Sequence, residues 1–282
     1  MRPLTLPSLR AMPIVRGSRT VPLLTMAMFL VAGIGAVGVA SAASGHAADQ
    51  GTSVGPAFPL MSTTTGTSHS WSGYAISTAK GAVTFVGGGW VEPAFHGTCS
   101  GSTTFTEAGF WVGIDGWGGS TVEQTGTAVE CFHGTVFYYA WTEFYPAKPT
   151  VLSMTIAPGD VMDASVSYHK AVHNYYTLFI QDITTSAKYS TSNSLIKAAR
   201  SSAEWIAEAP SSGGKTLPLT DFGSVTFTAC TVTISGHHNG ISAFANVRIN
   251  MVHNTSTALK ASTGSLQFSG TKFRVVWKSA GP

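Results

Sequence analysis

The sequence predicts an all-β protein, a sandwich or a barrel, over residues 68–282. Three observations predict it. Short runs rich in Val, Thr, Tyr, Phe and Trp follow one another from Ser68 onward. Gly, Pro, Asn and Ser break these runs about every ten residues, the spacing of turns between short strands. Helical character is confined to 194–200, too short for a helix that sustains itself.

The strands expected in order are 71–77, 82–91, 107–114, 121–130, 135–145, 151–156, 161–168, 175–182, 203–208, 223–234, 244–251 and 273–278. Each is a run of β-branched and aromatic residues with a turn former close by. The run 203–208 stops before Pro210, which has no N–H to give to a ladder. About 215 residues of this texture make one domain, and the sequence contains no internal repeat.

Ahead of this domain the texture changes twice. Residues 1–42 carry Arg2, Arg10, Arg16 and Arg19, no acid, an apolar run over 21–40, and Ala40-Ser41-Ala42 at the end. This is the pattern of a cleaved export signal, so the protein is expected outside the cell with no membrane anchor. Residues 43–67 are polar, rich in Gly, Ser and Thr, and without periodicity, which suits a linker or a removable pro-segment. The leader also distorts the charge. The whole chain has a formal charge of +3, but all 13 acids lie beyond residue 42 and only 12 of the 16 Lys and Arg do. The remainder is near neutral and has no basic stripe, so nucleic acid is not an expected partner. Only 10% of residues are charged, against the usual quarter or so, which hints at an acidic habitat.

Export permits disulfides. Cys99 and Cys131 flank a pair of expected strands and are read as bonded, and Cys230 as a buried thiol.

Alternation along four strands gathers polar groups on one face. In 110–116 the set is Trp111, Gly113 and Asp115; in 121–126 it is Val122, Gln124 and Gly126. In 139–145 it is Tyr139, Trp141, Glu143 and Tyr145, and in 203–208 it is Glu204, Ile206 and Glu208. A sheet face with Asp115, Gln124, Glu143 and Glu208 among Trp and Tyr rings reads as a cleft for an extended polymer. Any one of these residues alone is more often structural, but acids and amides among rings need partners.

The motifs Trp71-Ser72-Gly73-Tyr74, Trp111-Val112-Gly113-Ile114-Asp115-Gly116, Gln124-Thr125-Gly126, Glu143-Phe144-Tyr145-Pro146 and Ala203-Glu204-Trp205-Ile206-Ala207-Glu208 stand in the order and spacing of the glutamic peptidases, the eqolisin family. The chain resembles that family over 68–234. The resemblance implies a sandwich of two antiparallel sheets, a lectin-like jelly roll, with its active site on a concave face. It implies an acid endopeptidase acting on protein or peptide substrates, with Gln124 and Glu208 catalytic. Trp71, Trp111, Asp115 and Glu143 match cleft residues of the family, and Trp141 and Tyr145 join them as expected substrate-binding residues by alternation. The chain departs from the family in having Ser72 where fungal members tend to have Gly, in its cysteine pattern, and in the tail after Ile234.

The chemistry fits the pair. Glu208 is suited to take a proton from attacking water and return it to the leaving nitrogen. Gln124 is suited to donate an N–H to the developing oxyanion, and an amide keeps that donor at every pH. Asp115 and Glu143, if close to Glu208, would raise its proton affinity by repulsion. No cofactor or metal is expected: there is no H-E-x-x-H, His237 and His238 are adjacent and point apart, and His169 and His173 lie in a non-helical segment. The chain is expected to be a monomer. Two rival readings remain at this level. One is a glycosidase using Glu143 and Glu208, the other a non-catalytic carbohydrate-binding module stacking sugars on Trp71, Trp111 and Trp141.

Overall fold

The computed structural model describes residues 61–101, 105–172, 174–195, 197–212 and 215–281. The expected leader, residues 43–60 and His173 lie outside them. Within them are β1 (Thr63–Ser68), β2 (Trp71–Ser77), β3 (Val83–Val91), β4 (Phe105–Ile114), β5 (Val122–Phe132) and β6 (Thr135–Tyr145). Then come β7 (Thr150–Thr155), β8 (Val161–His169), β9 (Tyr175–Asp182), β10 (Lys188–Ser194), β11 (Ser202–Glu208), β12 (Ser211–Ser212) and β13 (Lys215–Thr216). The chain closes with β14 (Ser224–Ile234), β15 (His237–Gly240), a 3-10 turn at Ile241–Ala243, β16 (Asn246–Val252), β17 (Leu259–Thr263) and β18 (Phe273–Trp277). The all-β class and each of the twelve expected strands are present, with boundaries moved by one to a few residues.

The ladders run without a break in the order β10-β9-β8-β3-β14-β18-β17-β16-β2-β11-β4-β5-β6-β7, with β1 on β16 and β15 on β14. The strand twist folds this long ladder round one core, barrel-like but with two free edges, β10 and β7. Strands β3, β8 and β9 thereby lie across the core from β4, β5 and β11. Indoles cross-link the layers: Trp205 Nε1 donates to the Gly87 carbonyl at 2.9 Å, and Trp90 Nε1 to Thr127 Oγ1 at 2.9 Å. A correction concerns 63–67. These residues fall in the expected linker or pro-segment, yet they form β1, parallel to β16 from Thr63↔Asn246 to Ser68↔Met251.

Alternation sorts β11 as expected. Ala203, Trp205 and Ala207 enter the large inner core, and Ile206 joins Ala75, Trp111, Val122, Ala128, Trp141 and Ile249 in a smaller apolar cluster on the opposite face. That second face, carried by β2, β11, β4, β5 and β6, holds the candidate site. Close approach there demands glycine. A Cβ on Gly126 would lie 2.1 Å from the Phe110 carbonyl oxygen, and one on Gly73 would lie 2.0 Å from that of Trp205. Cys99 and Cys131 are disulfide-bonded and Cys230 is a buried free thiol.

Candidate active site

The register of four neighbouring strands sets the site out in rows. Gln124 on β5 pairs with Gly113 on β4 and with Glu143 on β6. One pleat along, Gly126 pairs with Trp111 and Trp141, and Trp111 with Ile206 on β11. One pleat further, Glu208 pairs with Trp71 on β2 and with Gly109 on β4, Gly109 with Ala128, and Ala128 with Tyr139. The small residues at Gly109 and Ala128 leave a hollow where other side chains would stand. Its volume is about 480 Å³, and Trp71, Gln124, Trp141, Glu143, Tyr145 and Glu208 are among its lining residues.

Glu208 sits between two indoles. Trp71 Nε1 donates to Oε1 at 3.1 Å and Trp111 Nε1 to Oε2 at 2.8 Å. The rings pack edge to face with centroids 5.1 Å apart, which fixes both donors. Burial raises the proton affinity of Glu208, the two indole bonds oppose the rise, and the charges of Glu143 and Glu107 add to it, for a pKa of about 7. Gln124 is nearly enclosed, at 6% exposure. Its Nε2 donates to Glu143 Oε2 at 2.6 Å, and its Oε1 is buried without a side-chain or backbone partner among the described residues. An ionised carboxylate only accepts, so Glu143 dictates which end of the amide faces it. The other N–H of Gln124 is thus left for the hollow. Glu143 itself is raised by burial, with the Gln124 bond opposing.

Two expected residues have other work. Trp111 is fully buried and lies behind Glu208 rather than on the cleft surface. Asp115 does not line the hollow. It ends β4 with φ 67°, and its carboxylate turns to accept the backbone N–H groups of Ala199, Arg200 and Ser201 at 2.7–2.8 Å. Its negative charge is not among those that raise Glu208; that of Glu107 is. The buried Trp111 ring also has no face to offer a sugar, which removes one of the stacking platforms of the carbohydrate-binding reading.

Sequence reasoning missed Glu107, Pro210 and Ser211 in the lining, and passed over Tyr139. The signal existed: Glu107 is in phase with Gly109, Trp111 and Gly113, and Tyr139 with Trp141 and Glu143. Among the described residues no three His, Cys, Asp or Glu side chains have the geometry to hold a metal.

Comparison with known proteins points to one group. The Peptidase A4 family matches residues 69–271. Aspergillopepsin-2 of Aspergillus niger is 34% identical over 134 residues, which are 46% of this chain and 47% of that protein. The chain thus spans about half the length of this curated relative. Among solved structures, scytalido-glutamic peptidase bound to a peptide-based transition-state analogue aligns with a TM-score of 0.60 at 25% identity, covering 74% of this chain and 98% of that one. SCP-B, described as an eqolisin and solved with the tripeptide Ala-Ile-His, gives 0.59 at 25% identity, with the same coverage. The aspergilloglutamic peptidase of Aspergillus niger gives 0.51 at 27%, covering 61% of this chain and 99% of that one.

Proposed function

Because this chain belongs to the Peptidase A4 family, we propose that it is a glutamic-type endopeptidase whose Glu208 activates water and whose Gln124 stabilises the oxyanion. The observation that carries this reading is that both side chains face one hollow, each locked by its own partners. The Trp71 and Trp111 indoles hold Glu208 as an acceptor. Glu143 holds the Gln124 amide by one N–H.

The steps follow from these groups. An extended peptide lies in the hollow with its carbonyl oxygen toward the free N–H of Gln124. Glu208 in its ionised form takes a proton from water as the water attacks the carbonyl carbon, and the oxygen becomes negative against the Gln124 donor. Glu208, now neutral, returns that proton to the nitrogen as the C–N bond breaks. A carboxyl whose proton affinity lies near the working pH suits both halves of this exchange.

The working range is on the acid side of neutrality. Glu208 must be ionised to act as base, so lowering the pH removes the active form. Raising it ionises the buried acids considered below and weakens the fold, which sets the upper limit. Export and release into the medium follow from the leader over residues 1–42, and the Cys99–Cys131 bond suits that destination. Because β1 belongs to the sheet, any removable segment ends before Thr63.

Digestion of an unfolded protein at several acidities tests the reading. Wild type should be most active below neutral pH. Gln124→Ala should lose about 100- to 1000-fold in kcat, and Glu208→Ala about 100- to 10,000-fold. A maximum above neutrality, or a fully active variant of either kind, overturns it.

A further inference from the structure

We infer that Glu107 and Tyr139 form the base of a side-chain pocket that selects a basic residue in the substrate, next to Glu208. The inference rests on the peptidase reading above and names a substrate preference that it leaves open.

The register builds the pocket. Glu208 on β11, Gly109 on β4, Ala128 on β5 and Tyr139 on β6 lie in one row. The middle two carry no side chain longer than a methyl, so the floor between Glu208 and Tyr139 is low. Glu107 follows Gly109 on the same face of β4 and closes that end, paired with Glu130. Glu107, Tyr139, Pro210 and Ser211 all line the hollow. Two residues along a strand are about 7 Å, which is also the spacing of same-face side chains in an extended substrate. The pocket therefore receives a side chain within two residues of the bond attacked at Glu208.

The chemistry of the pocket is one-sided. The hollow is lined by Glu107, Glu143 and Glu208 and by no Lys, Arg or His among the described residues. Tyr139 OH donates to Glu107 Oε1 at 2.5 Å. A carboxylate has lone pairs for further donors, and an ammonium or guanidinium supplies them with the charge that the lining lacks. The titratable groups facing Glu107 are Tyr139 from β6, Glu130 from β5 and Glu208 from β11. None is a cation. Burial raises the proton affinity of Glu107 and the tyrosine bond lowers it. Glu107 thus gains its negative charge as the pH rises, later than an exposed glutamate would. Selection for a basic side chain should grow in the same direction.

Cleavage-site mapping on an unfolded protein at pH 3 and pH 6 would locate the position concerned, and two synthetic peptides with Lys or norleucine there would measure the effect. Wild type should favour Lys in kcat/KM by on the order of tenfold at pH 6 and much less at pH 3. Glu107→Gln should bring the Lys-to-norleucine ratio close to one. Tyr139→Phe removes the donor that lowers the proton affinity of Glu107, so it should keep the preference but shift its onset to higher pH. It also keeps the inference testable if Glu107→Gln fails to fold. An equal ratio in wild type and Glu107→Gln, or an onset unmoved by Tyr139→Phe, overturns the pocket. Turnover of both peptides by wild type with no basic preference overturns the pocket alone. No turnover of any peptide overturns the peptidase reading and the pocket with it.

Discussion

Glu208 owes its setting to two indole N–H groups that accept nothing in return. Each bond favours the ionised carboxylate, against a burial that disfavours it. A hydrogen bond to a charged group contributes about 1.5–3 kcal/mol, and one pKa unit corresponds to about 1.4 kcal/mol. Trp111→Phe keeps most of the ring volume and loses one donor. The proton affinity of Glu208 should rise by roughly one pKa unit. The acid limb of the kcat/KM profile should move to higher pH by the same amount, and an unmoved limb would remove Trp111 from this role. Sequence pattern reached Gln124, Glu143 and Glu208 because alternation alone puts them on one face. It misplaced Asp115, which has the right parity but leaves the face through a left-handed backbone at the end of β4. Parity holds only while the strand does.

At the level of elements, the legible strands are those that bury a face. β8, β9 and β11 carry an apolar residue at nearly every second position, so the pattern shows in the chain. β1 and β10 are Thr- and Ser-rich and mostly exposed, and neither was anticipated. Both gain their ladder from backbone groups of a neighbour, β16 and β9, which leaves no mark on their side chains. The disulfide was legible for the opposite reason: its two cysteines flank the pairing of β4 and β5. Where β4 and β5 approach each other, Gly126 is the element-scale constraint. Gly126→Ala forces a methyl against the Phe110 carbonyl and the Trp111 Cβ. Overpacking of this kind costs about 1–3 kcal/mol. It should appear as a lower midpoint in denaturant, with a further loss of activity because Trp111 carries Glu208. A variant as stable as wild type would mean that the strands separate freely there.

At the scale of the whole molecule, carboxyls buried far from the hollow as well as in it make stability depend on pH. Glu92 is enclosed with hydrogen bonds from Trp90 and Thr127, and burial raises it to about 8. Glu123 is raised to about 9 by burial and by the charges of Asp115 and Glu204, and Glu130 to about 7 by burial and by Glu107. Glu204 is raised well above its ordinary value, chiefly by burial. An unfolded chain releases these protons near pH 4.5, whereas the folded one holds them to about 7–9. Over that window the native state binds more protons, so its stability falls as pH rises. Thermal or urea unfolding should give the highest midpoint at or below pH 4.5 and a steady decline toward pH 9. Glu123→Gln should flatten the decline, and a midpoint that rises between pH 5 and 8 would contradict the argument. The low charge of the sequence hinted at acid, and only the burial of particular glutamates supplies a cause. By itself the sequence determined the all-β class, most strands, the disulfide and one face bearing an amide and carboxyls, because alternation and turn chemistry are local. The tertiary structure decided that the ladder is continuous, which indoles hold Glu208, that Glu143 orients Gln124, and that Glu107 reaches the hollow. Those depend on register between strands distant in the chain, and a one-dimensional pattern carries no record of register.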